Sequence, residues 1–546
     1  MPTEQLLINI STPLTEMAAQ QPNMPAIIFP SKGRTITFKE LDEQSNRLAG
    51  GFIKNGIQRG TRVALLVPPS PELFAITFAL FKAGIVPVFI DPGIGAKNMK
   101  GCLSDSAPEA FIGIPKAHIA RIVLRWGKET VWTLVRVGGS SLIGGISLKK
   151  IEQDGKDAQF SPAETGKDEI AAILFTSGST GSPKGAVYTH GNFAAQVKAL
   201  KEVYNIMPGE IDLPTFPLFA LFAPALGMTA LIPEMDFTKP GSVDPLQIIN
   251  TGNRYKATTM FGSPALLNRV GRYGTEKKLH LKSVKRVISA GAPVPAIVLQ
   301  HFREILPEDA EIFTPYGATE ALPVSSISSR EILSETHYET AKGKGICVGR
   351  PVPGLSLAII PISDKPVESW SDDLFLATGE IGEIAVSGEQ VTKSYFENPQ
   401  ATRMAKIQGE DGKIWHRMGD TGYLDEKGRL WFCGRKSHRV VTASGTLFTI
   451  PVEGIFNNHP DVFRTALVGI GEPGNQKPVL CVELEKGVKR NQKNRIRNEL
   501  MEIAKKNFIT KDINIILFHP KFPVDIRHNA KIFREKLSVW AAEVIS

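Results

Sequence analysis

Between Thr176 and Gly185 the chain reads Thr-Ser-Gly-Ser-Thr-Gly-Ser-Pro-Lys-Gly, hydroxyl residues and glycines ending in one lysine. Glycine lets a backbone close around a phosphate chain, and the hydroxyl and N–H groups are neutral donors to its oxygens. Lys184 adds a mobile positive charge. The apolar stretch Ala171 to Phe175 predicts a buried strand, so the loop leaves a strand end. This is chemistry suited to nucleotide phosphates, and the bland alternative is a surface linker of the same composition. Pro183 before the lysine and Gly185 after it depart from the Gly-Lys-Ser/Thr of the Walker loop, which disfavours a P-loop kinase or ATPase. Gly343, Gly345 and Gly349 miss the dinucleotide fingerprint by one position, which dismisses a Rossmann oxidoreductase.

Further clusters follow in order: Tyr316-Gly317-Ala318-Thr319-Glu320, Gly379-Glu380-Ile381-Gly382-Glu383, Met418-Gly419-Asp420-Thr421-Gly422-Tyr423, Gly434-Arg435-Lys436 and Asn529-Ala530-Lys531. With the phosphate loop, this ordered set resembles the adenylate-forming superfamily of acyl-CoA synthetases, peptide-synthetase adenylation domains and luciferases, over nearly the whole chain. The resemblance implies attack of a carboxylate on the α-phosphorus of ATP, loss of pyrophosphate and an acyl-adenylate. Two anions must meet, so neutralisation and positioning dominate the barrier.

On that resemblance Thr176, Ser177, Gly178, Ser179, Thr180 and Lys184 would hold the phosphates. Lys531 would bridge carboxylate and α-phosphate, and Thr319 would bond the α-phosphate. Glu320, with Thr176, would hold Mg²⁺, which takes one or two carboxylates plus phosphate oxygens. Tyr316, followed by Gly317 and Ala318, would cover the adenine, and Asp420 would accept from the ribose hydroxyls. Arg435 would bond ribose or phosphate oxygens, and Phe432 would pack on the nucleoside. Gly291, Ala292 and Pro293, in the turn that starts at Ser289, would line the adenine and the acyl carboxyl. The bland readings are a simple turn at Tyr-Gly, a core aromatic at Phe432, and one lysine among several near Lys536. Ala530 stands where glycine is more usual.

Four stretches, Ser70 to Phe74, Ala107 to Pro115, Asp212 to Pro217 and Phe522 to Lys531, resemble the olefin β-lactone synthetases of bacterial long-chain hydrocarbon pathways. Trp431 to Lys436 and Thr314 to Tyr316 fit the same group. That implies activation of a 2-alkyl-3-hydroxy fatty acid, whose own hydroxyl then attacks the carbonyl, expels AMP and closes a β-lactone. His190, His416 and His438 are candidate bases for this step, with Asp425 and Glu453 weaker, and each has a bland structural reading. Phe216, Phe219 and Phe222, with Phe261 and Ser263, lie where relatives build the acyl pocket. The hinge reads Gly434-Arg435-Lys436-Ser437-His438 where relatives often carry Asp or Lys, and Ile450-Pro451-Val452-Glu453 replaces a charged run. An acyl-CoA or carrier-protein ligase is the alternative, and a nucleotide-binding scaffold without catalysis is the third reading.

These residues need a scaffold that brings distant loops together. Strand-like runs such as Thr61 to Val67, Ile85 to Pro92, Ala257 to Phe261 and Val284 to Ser289 alternate with helical spacing at Pro71 to Gly84. The fold class is therefore α/β with mostly parallel sheets. The resemblance adds a large N-terminal domain, residues 1–435, holding two such sheets and a distorted barrel. A small mobile α+β domain, residues 436–546, would carry Lys531 and swing against it. At 546 residues the chain exceeds one core. No apolar run reaches the roughly 18–20 residues of a membrane span, and the N-terminus lacks a secretory signal. Cys102, Cys347, Cys433 and Cys481 show no metal or disulfide spacing and suit a reducing cytoplasm. The net charge of +9 draws partly on Lys489, Arg490, Lys493, Arg495 and Arg497, read as a solvated helix face rather than a nucleic-acid patch. The partners implied are ATP, a long-chain hydroxy acid and a β-lactone decarboxylase in the same pathway.

Overall fold

A computed structural model describes residues 7–140, 144–176, 183–524 and 532–545. Seven strands form one sheet in the order Ile146–Ser147, Thr133–Arg136, Ala110–Gly113, Arg62–Leu66, Val86–Ile90, Ile170–Thr176 and Lys184–Thr189. All pairs are parallel except the last, where Phe175 faces Gly185 and Thr176 faces Lys184. Val63, Ala64, Val88, Ala110, Ile112 and Ile173 are buried to within 4 % on these strands, as near-continuous apolar runs of a parallel sheet require.

The second sheet has 14 strands and changes character along its length. Thr229–Leu231, Ile211–Pro214, Thr259–Phe261, Arg286–Ile288 and Glu311–Ala318 run parallel. The chain then turns at Thr319 and Glu320, and Ala321–Ser328 returns antiparallel with Ala318 opposite Ala321. From there Ile346–Pro351, Leu430–Arg435, Ile414–Leu424, Gly382–Ser387 and Ser356–Ile360 continue antiparallel. The barrel implied by the family resemblance is thus a curled limb of the second sheet. Its pairing order does not close on itself.

The helix His190–Tyr204 ties the sheets together. A capping box starts it, with Asn192 N–H donating to Thr189 Oγ1 at 3.1 Å and Thr189 N–H to Asn192 Oδ1 at 2.9 Å. The Asn192 side-chain amide also donates to the carbonyls of Glu389 and Val391, anchoring the loop that leads to Tyr395. Further along, the backbone around Tyr395 runs beside the first sheet, with Val187 N–H on Ser394 O and Phe396 N–H on Gly185 O.

The C-terminal stretch has its own three-stranded sheet of Val462–Ile470, Lys477–Leu484 and Ile515–Phe518. Helices Thr449–Phe456 and Lys493–Lys506 pack on one face, around Val452, Phe456, Leu467, Leu480 and Leu500, and Arg534–Ile545 packs on the other, where Leu537 and Ala541 meet Ala466, Val468 and Val479. The basic run opens the helix Lys493–Lys506 as a solvated face, where Arg495 pairs with Asp461 at 2.6 Å and Glu499 at 2.9 Å. Among the described residues, no helix is long and apolar enough to cross a membrane.

Candidate active site

Parallel strands point their C-terminal ends at a common crevice, and ligands of α/β sheets bind there. Here Ile211–Pro214, Thr259–Phe261 and Arg286–Ile288 of the second sheet end side by side at Pro214, Phe261 and Ile288. Ser177, Gly178, Ser179 and Thr180 of the phosphate loop lie outside the described residues, as does Lys531. Thr176 closes its strand. Lys184 opens the next one, with its Nζ 5.3 Å from the centre of the Tyr395 ring.

Thr319 and Glu320 form the tip of a tight hairpin, which projects them beyond the sheet. Tyr395 donates its hydroxyl to Glu320 Oε1 at 2.6 Å. The Glu320 carbonyl accepts from Thr392 N–H at 2.9 Å, and the Thr319 carbonyl accepts from the Tyr188 hydroxyl. Burial raises the Tyr395 phenol, and the neighbouring Glu320 carboxylate raises it further, so it stays a donor. Behind Thr392 lies Lys406, fully enclosed, whose ammonium donates to the Thr392 carbonyl. Desolvation brings Lys406 down to about 7, against the pull of Glu320. His416 faces Lys406 across paired strands, and burial with the charges of Lys406 and Lys184 holds it well below the usual imidazole range.

A second group lies across the curled limb. The Tyr316 hydroxyl donates to Asp420 Oδ2 at 2.6 Å, and Arg435 Nη1 stands 3.0 Å from Asp420 Oδ1. Asp420 and Arg435 are register partners on adjacent strands. Burial raises the Asp420 carboxyl while Arg435 and Tyr316 oppose it, and Asp420 holds the Arg435 guanidinium above its ordinary value. The Phe432 ring centre is 6.0 Å from that of Tyr316. At Gly434, with φ 121°, a Cβ would come 2.3 Å from Thr449 Oγ1, so only glycine fits beside the helix that follows. Gly291, at φ 95°, turns the chain between the end of the strand Arg286–Ile288 and Ala292-Pro293.

A narrow cavity of about 50 Å³ opens beside Ala290 and Pro315. Phe219, Phe222 and Phe261 line it, with Phe219 stacked on Phe261 at 4.0 Å. Phe216 packs behind, 5.5 Å from Phe219 and 6.5 Å from Phe261. Ser263 instead caps the helix Pro264–Lys277, accepting from Leu266 N–H. Other expectations separate in the same way. His190 accepts from Ile10 N–H at 3.2 Å, and burial lowers it to about 4, so it is a packed core imidazole. Asp425 pairs with Arg429 and Trp431, and Glu453 pairs with Arg534, both as structural ties. His438 sits in the short turn after Arg435.

Sequence reasoning missed Tyr188, Thr392, Tyr395 and Lys406. Tyr395 lies 75 positions from Glu320, and nothing in its neighbours Ser394 and Phe396 marks it. Lys406 reads as one surface lysine among many, and only the pairing with His416 places it inside.

The described crevice offers a carboxylate, an aromatic paired with a second carboxylate, several cations and an adjoining apolar cavity. Glu320, with one oxygen held by Tyr395, has the single-carboxylate character that suits Mg²⁺ beside phosphates. Comparison with known proteins gives the same direction. Residues 14–396 match the AMP-binding enzyme family. A protein of Xanthomonas campestris pv. campestris named olefin beta-lactone synthetase is 48% identical over 551 residues, covering 98% of both chains. Another of that name from Stenotrophomonas maltophilia is 47% identical, again over 98% of both. The structure of an amide bond synthetase from Marinactinospora thermotolerans superposes with a TM-score of 0.78 at 21% identity, over 97% of this chain and 99% of that one.

Proposed function

The chain belongs to the AMP-binding enzyme family, and from that premise we propose that it activates a 2-alkyl-3-hydroxyalkanoic acid with ATP and closes it to a β-lactone. The observation that carries the lactone outcome is the 48% likeness along 98% of the chain to an olefin beta-lactone synthetase. The crevice supports the activation step. Asp420 and Arg435 would hold the ribose, with Tyr316 and Phe432 against the base and Ala292 at its edge. Glu320 would hold Mg²⁺, which when bound neutralises the phosphates and polarises them towards attack. Lys184 and Lys531 would offset the charge that two approaching anions create.

The acid would lay its chain along Phe219, Phe222 and Phe261, with the carboxylate at the Ala290 end. Once the adenylate forms, the 3-hydroxyl attacks the acyl carbon, the C–O bond to AMP breaks with its electron pair leaving on the AMP phosphate, and the hydroxyl proton passes to water. Attack within one molecule needs no thiol, and a folded chain supplies effective concentration. His416, uncharged in its buried setting, is the histidine of the three candidates that neighbours this crevice through Lys406 and Lys184. The residues from 436 onward, with their own core, would form the mobile part that brings Lys531 to the crevice. A decarboxylase acting on the apolar, reactive product would be the natural next enzyme.

Mass analysis of products from ATP, Mg²⁺ and a 2-alkyl-3-hydroxy acid, without CoA, tests this reading. A dehydrated lactone with matching AMP is expected. Adenylate that discharges only on addition of CoA or a carrier thiol would overturn the lactone outcome and leave a ligase.

A further inference from the structure

The far end of the acyl cavity is polar. Asp212, Thr259 and Arg286 lie side by side on three parallel strands, each the register partner of the next. Two residues on, along the same face, come Pro214, Phe261 and Ile288, and beyond them Ala290. At about 3.3 Å per strand residue, the Asp212 rung lies roughly 13 Å from the Ala290 end where the carboxylate would sit.

Two members of that rung are satisfied. Arg286 donates to Glu210 at 2.7 Å, to Thr259 Oγ1 at 2.8 Å and to the Asn205 carbonyl at 2.9 Å. Asp212 is not. It is 5% exposed, it lines the cavity, and its Oδ1 is buried without a hydrogen-bond partner among the described residues. Around it the wall is apolar, with Ile206, Phe219, Leu226 and Met228. Burial lifts the carboxyl to about 8, with Arg286 opposing and Glu210 adding, which favours the protonated form, able to donate as well as accept. A wall shaped only for methylenes gains nothing from such a group, since an unpartnered buried polar atom costs free energy.

We propose that Asp212 forms a polar subsite at the distal end of the acyl cavity, where its carboxyl hydrogen-bonds a hydroxyl or keto oxygen on the acid's chain, remote from the carboxylate. The inference rests on the reading of this cavity as the acyl site. It makes the preferred substrate oxygenated at two places, at the 3-position for ring closure and further along for recognition. A site built to bond a hydroxyl discriminates strongly against the analogue that lacks it, because its own polar group is then stranded.

The test gives the full-length protein ATP, Mg²⁺ and straight-chain acids of one length, plain or carrying one hydroxyl at successive positions. Pyrophosphate release supplies kcat/KM for each. A maximum of about tenfold or more over the plain acid is expected at the position that reaches the rung. Asp212→Leu should abolish the maximum, chiefly through KM, while Asp212→Asn should keep most of it. Equal kcat/KM at every hydroxyl position in the unaltered protein overturns the proposal without any variant, as does a maximum that survives in Asp212→Leu. Release of pyrophosphate with no acid at all would instead sink the functional reading. Calorimetric titration of the same acids without ATP then still reads the subsite, by tighter binding of one positional isomer or its absence.

Discussion

Tyr316 donates its hydroxyl to Asp420 at 2.6 Å, although their strands stand four places apart in one sheet. At about 4.8 Å between neighbours, a flat sheet would separate those strands by roughly 19 Å. The contact therefore measures how tightly the antiparallel limb curls. Two groups proposed to hold adenosine meet because of backbone twist, with about a hundred residues of chain between them.

Asp420→Asn keeps the shape but removes the charge that faces Arg435 at 3.0 Å. The KM for ATP should rise about tenfold, as a charge-assisted bond to a ribose hydroxyl is lost, with stability down by about 1–2 kcal/mol. ATP titration of pyrophosphate release and a thermal melt check both. An unchanged KM would remove Asp420 from the nucleotide site.

Tyr395→Phe frees Glu320 Oε1 without opening a cavity. A carboxylate that loses its tether samples other rotamers, so half-saturation by Mg²⁺ should rise and kcat should fall about tenfold, while the KM for the acid stays near its starting value. Activity measured against Mg²⁺ concentration decides. A fall in kcat with an identical Mg²⁺ curve would place Tyr395 in some other role.

Lys406 ties stability to pH. Its ammonium is lowered to about 7 by desolvation, below the ordinary lysine value of 10.5. Between those values the unfolded chain binds the extra proton, so this group makes stability rise with pH from about 7 towards 10. At pH 6 both states carry the charge, and its burial cost is fully felt. Lys406→Met should therefore stabilise the protein more at pH 6 than at pH 9, by about 1 kcal/mol or more in difference. Chemical denaturation at both pH values provides the measurement, and equal shifts would mean that the lysine is not desolvated as described.

Phe219→Ala removes the ring that stacks on Phe261 at 4.0 Å in the cavity wall. The cost should be about 3 kcal/mol in stability. Acids branched with a longer 2-alkyl group should gain relative to unbranched ones in kcat/KM. A drop that is uniform across acids would show that Phe219 supports the core without shaping the pocket.

Much of this architecture was legible in local chemistry. Apolar runs such as Val284 to Ser289 announced parallel strands, and the hairpin tip Thr319-Glu320 stood in a marked motif. The antiparallel limb was not legible as part of the second sheet, because the turn at Thr319 that joins them looks the same whether or not the sheets separate. Ser263 illustrates the other failure. A serine before proline reads equally as a pocket hydroxyl and as a helix cap, and the three-dimensional path of the chain chose the cap. Tyr395, Lys406 and the unsatisfied Oδ1 of Asp212 are properties of neighbours distant in sequence, which no spacing rule contains.

The four cysteines have a practical consequence for anyone who wishes to watch this protein move. Cys102, Cys347, Cys433 and Cys481 are all buried and unbridged, and desolvation pushes each thiol up to about 12. The reactive form is the thiolate, so at neutral pH these groups are almost silent towards maleimides and disulfide reagents. A pair of fluorophores placed on introduced surface cysteines, one before Arg435 and one after His438, would therefore label cleanly on the natural background. The rotation proposed for the C-terminal part during turnover could be tested directly in this way, with no native cysteine replaced.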